Sequence, residues 1–270
     1  MFMLKMPVTG SSINEIKAEL TQTLPDVKSS HRCEAVARGL GYRTYAALLE
    51  ATRRSPTESA TVHASHFITY LAAHGFEVAP LPFYKATARV ALRGVSEKVP
   101  RLTTWGVGIG RPTRKSDGSF PTWQERRADF DSGRSDLLSD YAIKPFLLSL
   151  ALLGRVKPTK TIRQYSNSYW LKHIAENYEC TFPHGARLGP QYVPNGIFIA
   201  AAVHAGFEIK THMDDFGYES LNVTFNMSKP SLLELEYEIR PESGRSQDRR
   251  RLEQRRAMKA KNIWLGLGMT

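Results

Sequence analysis

Stretches with apolar residues at helical spacing alternate along the chain with stretches that read as turns or as short extended runs. Ser11–Leu24 is predicted to be a helix, with Ser12 as its cap and Glu15 three residues on in a capping-box pattern. Arg32–Leu40 follows, capped by Ser30 and ended by Gly41, and then Tyr45–Thr52. Residues 53–61 have the Ser, Thr and Pro content of a linker. Ala64–His74 reads as helical up to Gly75, after which Phe76–Val78 turns extended. Tyr84–Arg93, Trp123–Asp131 and Ser135–Leu153 are further helices, the last started or kinked at Pro145. Between them, Pro100–Phe120 is poor in aliphatic residues and rich in Gly, Arg, Thr and Ser. This composition predicts an exposed loop with a short strand at Thr103–Val107.

The second half changes character. Asn167–Asn177 reads as a helix, Thr181–Pro190 as a loop, and Ile197–Ala205 as a strongly apolar helix capped by Asn195 and ended by Gly206. Phe207–Met213 and Asn222–Met227 read as strands around a turn containing Gly217. Leu233–Ile239 alternates strictly as Leu, Glu, Leu, Glu, Tyr, Glu, Ile, which predicts a third strand. The order helix, helix, strand, strand is that of a winged helix, in which the second helix enters the major groove. Here that helix carries Phe198, Ile199 and Val203 and no arginine, so it is expected to be a core helix rather than a reader of base edges. Phe67-Ile68 before Gly75-Phe76-Glu77 is echoed by Phe198-Ile199 before Gly206-Phe207-Glu208. The echo is read as a shared helix–glycine–strand junction rather than a duplication.

The fold class expected is α+β. A mostly helical domain spans residues 1–154 and includes a short helical module at 11–52. A winged-helix-like domain spans 155–240, and a basic helical extension spans 241–270. A chain of 270 residues with 41% hydrophobic content can bury such cores. The two cysteines, Cys33 and Cys180, support neither a disulfide framework nor a four-thiolate zinc site. The longest apolar run, Pro145–Leu153, is far short of a bilayer span. A cytoplasmic protein is expected.

Charge adds the functional signal. The chain carries a formal net charge of +11, which predicts attraction to phosphate polymers or acidic surfaces. Arg240–Lys261 holds nine Lys/Arg against three Asp/Glu, so more than half of the excess sits in one segment. Its members Arg245, Arg249, Arg250, Arg251, Arg255, Arg256, Lys259 and Lys261 are the principal candidates for nucleic-acid or partner contact. Lys160, Arg163 and Lys172, in an acid-free stretch from Arg155 to Lys172, join them. A segment as polar all round as 245–261 is either a solvated extension or an arm that a partner orders.

Thr161–Ser228 resembles uncharacterised proteins of bacterial mobile genetic elements. The shared pattern is Ser168-Tyr169, Leu171-Lys172-His173, Glu176, Tyr192 to Gly196, Ile199-Ala200-Ala201, Gly206-Phe207, Asn226 and Ser228. Ser30-His31, Glu34, Ala37 and Gly41-Tyr42 are similar to a short helical module of other plasmid-encoded proteins, some of them associated with glyoxalases; the ligand set of a glyoxalase is missing here. The resemblance implies a plasmid, phage or integrative-element setting.

Catalytic constellations are weak. His63, His66 and His74, and His204, His212 and Asp214, lack the spacing of a metal-binding helix. His173 and Glu176 are expected to share a structural hydrogen bond, and Cys33 to sit in core. Gly106, Gly108 and Gly110 miss the dinucleotide fingerprint. No cofactor or metal is expected. The function expected is non-enzymatic binding of DNA or RNA through basic surfaces. Its alternative is an anti-CRISPR or other anti-defence inhibitor that binds a subunit of a host nucleic-acid-guided complex. A second alternative is a nucleic-acid-processing enzyme using Asp129, Asp131, Asp136 or Asp140.

Overall fold

The computed structural model describes residues 2–54 and 58–267, with side chains through Lys259. Secondary structure runs β1 (Lys5–Pro7), α1 (Gly10–Thr23), α2 (Ser29–Gly39), α3 (Tyr45–Arg54), β2 (Ser59–Thr61), α4 (Ala64–Ala72) and α5 (Leu81–Lys98). A two-residue hairpin follows, β3 (Leu102–Thr103) and β4 (Gly106–Val107), then α6 (Trp123–Asp136) and α7 (Asp140–Leu153). The remainder is β5 (Pro158–Asn167), α8 (Ser168–Glu176), β6 (Cys180–Thr181), β7 (Arg187–Gly189), α9 (Asn195–His204), β8 (Ile209–Met213), β9 (Glu219–Met227), α10 (Lys229–Ile239) and α11 (Gly244–Leu267). The fold is therefore α+β, helices with small antiparallel sheets.

Three helices, α1, α2 and α9, start upstream of the sequence expectation. Thr9, not Ser12, caps α1, its hydroxyl accepting from the Ser12 amide at 3.1 Å. Lys28 precedes α2, so Ser30 is already inside it. Asn195 is the first residue of α9 rather than its cap. The N-terminal strand and β2, unforeseen, pair antiparallel and bring Met6 opposite Ala60. Phe76–Val78 forms no strand, although Gly75 and Gly206 end their helices alike, both in the left-handed region. In each case the following phenylalanine amide reaches back to a helix carbonyl, Leu71 or Ala202, at 3.0 Å.

Leu233–Ile239 is helical, which corrects the expected third strand. Lys229 and Pro230 open the helix, and Leu232, Leu235 and Glu236 are buried on one face. The alternation of Leu and Glu also satisfies a helical stripe, because Leu232 and Leu235 lie three residues apart. The main sheet has the order β5-β9-β8. β5 shifts register against β9 between Pro158 and Asn167. Side-chain hydroxyls cover the amides that this irregular ladder would strand: Phe225 donates to Ser166 Oγ at 3.0 Å and Val223 to Ser168 Oγ at 3.1 Å.

The core centres on α9. Every residue from Asn195 to Val203 is buried, and the helix packs on α5, α7 and α8. Phe198 meets Phe225 of β9 edge to face at 6.0 Å. The expectation that this helix lies in the core holds. Its N-terminal turn, residues 195 and 196, abuts the β3–β4 hairpin, whose tip carries the exposed Trp105.

Candidate nucleic-acid interface

The start of α11 is built around Glu236 of α10. That carboxylate, only 2% exposed, accepts from Trp170 Nε1 at 2.9 Å and from Arg240 at 3.3 Å. Its backbone carbonyl accepts from the buried Ser246 hydroxyl at 3.2 Å. The first turn of α11 is thereby pinned. Two aromatic rings on the supporting helices then take guanidinium groups on their faces. Arg245 lies 4.1 Å from the ring centre of Trp170, and Arg249 and Arg250 lie 4.9 Å and 5.4 Å from that of Tyr237.

Position along the helix then divides the cations. Arg249 pairs with Glu253 at 2.9 Å, and Arg250 with Glu242 and Arg251 with Asp248 at 3.8 Å each. Arg255, Arg256 and Lys259 are exposed and have no carboxylate partner among the described residues. The side chain of Lys261 lies outside the described residues. Lys160 and Arg163 are exposed on β5, an edge strand, again with no ion pair among the described residues. α10 packs on both β5 and α8, so it joins that strand to the helical arm.

Lys172 does not belong with them. Its side chain is 5% exposed, its ammonium donates to Glu176 Oε1 at 2.7 Å, and the rings of Tyr169 and Tyr192 flank it at 5.2 Å and 4.9 Å. A buried ammonium already held by a carboxylate and two rings is not presented to a phosphate, which corrects its place in the contact set. The other Glu176 oxygen lies 2.5 Å from His173 Nδ1, the structural contact expected of that pair. Glu176 Oε1 also accepts from the Val193 amide at 3.3 Å, tying α8 to the segment entering α9.

The four aspartates considered for an enzyme are divided. Asp140 is engaged by Lys85 and Arg89, which hold its carboxyl below the usual range, and Asp131 pairs with Arg127 at 3.0 Å. Asp129 and Asp136 line a cleft of about 500 Å³ with Trp105, Arg111, Arg126 and Phe130. Among the described residues no group of three His, Cys, Asp or Glu could hold a metal ion.

This cleft was missed by sequence reasoning, which took 100–120 as an exposed loop with a short strand at Thr103–Val107 and no site in it. The available signal was aromatic: Trp105 and Phe120 stand in a segment too poor in aliphatic residues to bury them. Arg111 lies 3.8 Å from the ring centre of Phe216, and Arg114 lies 4.5 Å from that of Phe120. Comparison of the chain with protein-family models, curated proteins and solved structures finds no match. No helix among the described residues is long and apolar enough to cross a membrane.

Proposed function

We propose that the protein binds nucleic acid without catalysing a reaction on it, with α11 as an electrostatic arm. The observation that carries this reading is the division of charge along α11. The start is anchored on Glu236, Trp170 and Tyr237, whereas Arg255, Arg256 and Lys259 are exposed without carboxylate partners among the described residues. Unneutralised cations on an anchored helix release counterions from phosphates on contact, at no cost in broken ion pairs. In this reading residues 155–240 form a winged-helix-like scaffold whose buried second helix supports rather than reads. Lys160 and Arg163 add positive charge beside it. The resemblance of 161–228 to mobile-element proteins supports a role for such an element in the cytoplasm.

The test is a titration of duplex DNA and of single-stranded RNA against salt. Affinity should fall steeply as salt rises, by about 0.9 log units per log unit of salt for each duplex phosphate contacted. A flat salt response would remove the phosphate-contact reading. With no binding at all, a protein subunit of a host nucleic-acid-guided complex becomes the partner to seek by pull-down.

A further inference from the structure

Trp105 sits at the tip of the β3–β4 hairpin and is 59% exposed, yet the backbone around it is held on three sides. From α6, the Gly133 carbonyl accepts from both the Thr104 amide at 2.9 Å and the Thr104 hydroxyl at 2.7 Å. That carbonyl belongs to the last turn of its helix, where no intrahelical donor follows, so the hairpin supplies what the helix end lacks. From α9, the Gly196 amide donates to the Thr104 carbonyl at 2.9 Å, and the Asn195 side chain donates to the Trp105 carbonyl at 3.2 Å. Within the hairpin, Thr103 Oγ1 accepts from the Trp105 amide at 3.2 Å.

The indole is placed as deliberately as its backbone. One edge lies against Gly133, where a Cβ would stand 3.3 Å from Trp105 Cδ1 and 3.1 Å from Thr103 Cβ. Glycine inside a helix is less favourable than alanine. Here that loss coincides with the seating of an indole that remains mostly in solvent. Burial does not explain a rigidly held, solvent-facing tryptophan, but a ligand with a flat apolar face does.

The neighbours specify which ligand. Arg111 stacks its charge over the face of Phe216 and has no carboxylate partner among the described residues, so its N–H groups are available to phosphate. Asp129 and Asp136 line the same cleft, likewise with no cation partner among the described residues. Carboxylates accept from the N–H groups on base edges. Beyond Asp136 the aromatic surface continues. Tyr141, in the first turn of α7, is more than half exposed. Tyr169 and Tyr192 are likewise more than half exposed. Aromatic faces interleaved with guanidinium groups are the composition that binds unpaired bases, whose faces a duplex conceals.

We infer that the Trp105 cleft is a base-stacking site for single-stranded nucleic acid, with an unpaired base on the open face of the indole and Arg111 on the strand's phosphates. This inference rests on the nucleic-acid reading above and assigns a different surface from α11. The probes are fluorescently labelled oligo(dT) of about 15 nucleotides and a mixed-sequence duplex of the same length, followed by anisotropy with the full chain. Trp105→Ala should weaken oligo(dT) binding about tenfold and alter duplex binding less than about twofold, with an unchanged melting temperature. Trp105→Phe should restore most of the single-strand affinity, and Arg111→Ala should weaken it again. Single-strand binding by Trp105→Ala equal to that of the native chain, or equal losses on both probes, overturns the stacking site while leaving the nucleic-acid reading intact. A native chain that binds neither probe overturns both.

Discussion

Gly196 approaches Thr103 so closely that a Cβ on the glycine would overlap the Thr103 carbonyl oxygen. The obstacle is backbone, which cannot rotate away as a flexible side chain can. Gly196→Ala must therefore displace either α9, whose residues are buried almost throughout, or the hairpin bearing Trp105. Overpacking of this kind costs about 3 kcal/mol, visible as a lowered urea midpoint. Asn195→Ala leaves the Trp105 and Leu221 carbonyls without their donor and should cost about 1–2 kcal/mol. A wild-type midpoint for Gly196→Ala would show that the close approach is not a constraint.

Glu176 and Lys172 form a buried pair in which the two partners are not equivalent. Glu176 also meets His173 and the Val193 amide, whereas Lys172 has Glu176 as its one carboxylate among the described residues. Removing the acid strands a buried ammonium, so Glu176→Ala should cost about 3–5 kcal/mol. Lys172→Met leaves the acid with its other partners and keeps the packing between Tyr169 and Tyr192. It should cost clearly less in the same denaturation experiment, and it should leave the salt dependence of DNA binding unchanged. The reverse order of stabilities would contradict this account.

Legibility in the sequence followed the range of the interactions involved. Helices with long apolar stripes were readable to within a few residues: α1 carries Ile13, Ile16 and Leu20 on its buried face, and α9 is apolar from Ile197 to Val203. The ten-residue strand β5 was invisible because it is an edge strand with polar, exposed positions and no alternation. Leu233–Ile239 misled because two periods fit the same letters, and the burial of Leu232 and Glu236 decides between them. The basic arm was legible as composition. The Trp105 cleft was not, because its supports come from residues 133, 195 and 196, remote in sequence from the hairpin they hold. Asn195 and Gly196 did stand out in the sequence, though as a cap and part of a resemblance rather than as the clamp they form.

His204 gives the fold a defined pH response. Burial, and secondarily the positive charge of Lys5, push its pKa down to about 4, and its buried Nε2 has no partner among the described residues. The unfolded chain titrates near the ordinary value of about 6.5. Between these values the unfolded state binds the proton and the folded state does not, so acidification favours unfolding. Stability contributed by the neutral imidazole is fully present above about pH 6.5, falls as pH drops, and levels off below about pH 4. His204→Phe should flatten the dependence of the urea midpoint over that window. A slope identical to that of the native chain would assign the response to other groups.

The arm makes the sharpest quantitative prediction. Arg255, Arg256 and Lys259 are exposed and unpaired among the described residues, whereas Arg249, Arg250 and Arg251 each face an acid within 4 Å. Replacing the first three by alanine should shrink the log–log salt slope for duplex DNA by about 2.7, the loss of three phosphate contacts. Replacing Arg249, Arg250 and Arg251 should shrink it less, because each must first leave a carboxylate that stays behind. Both triple variants keep Ser246 and Arg245, which hold the start of α11 to α10 and to Trp170, so the helix stays attached in each. Comparing the two slopes at matched protein concentration separates a helix that binds through its free end from one whose charge acts uniformly. Equal losses would place the phosphate path along the whole helix and remove the special role of its distal half.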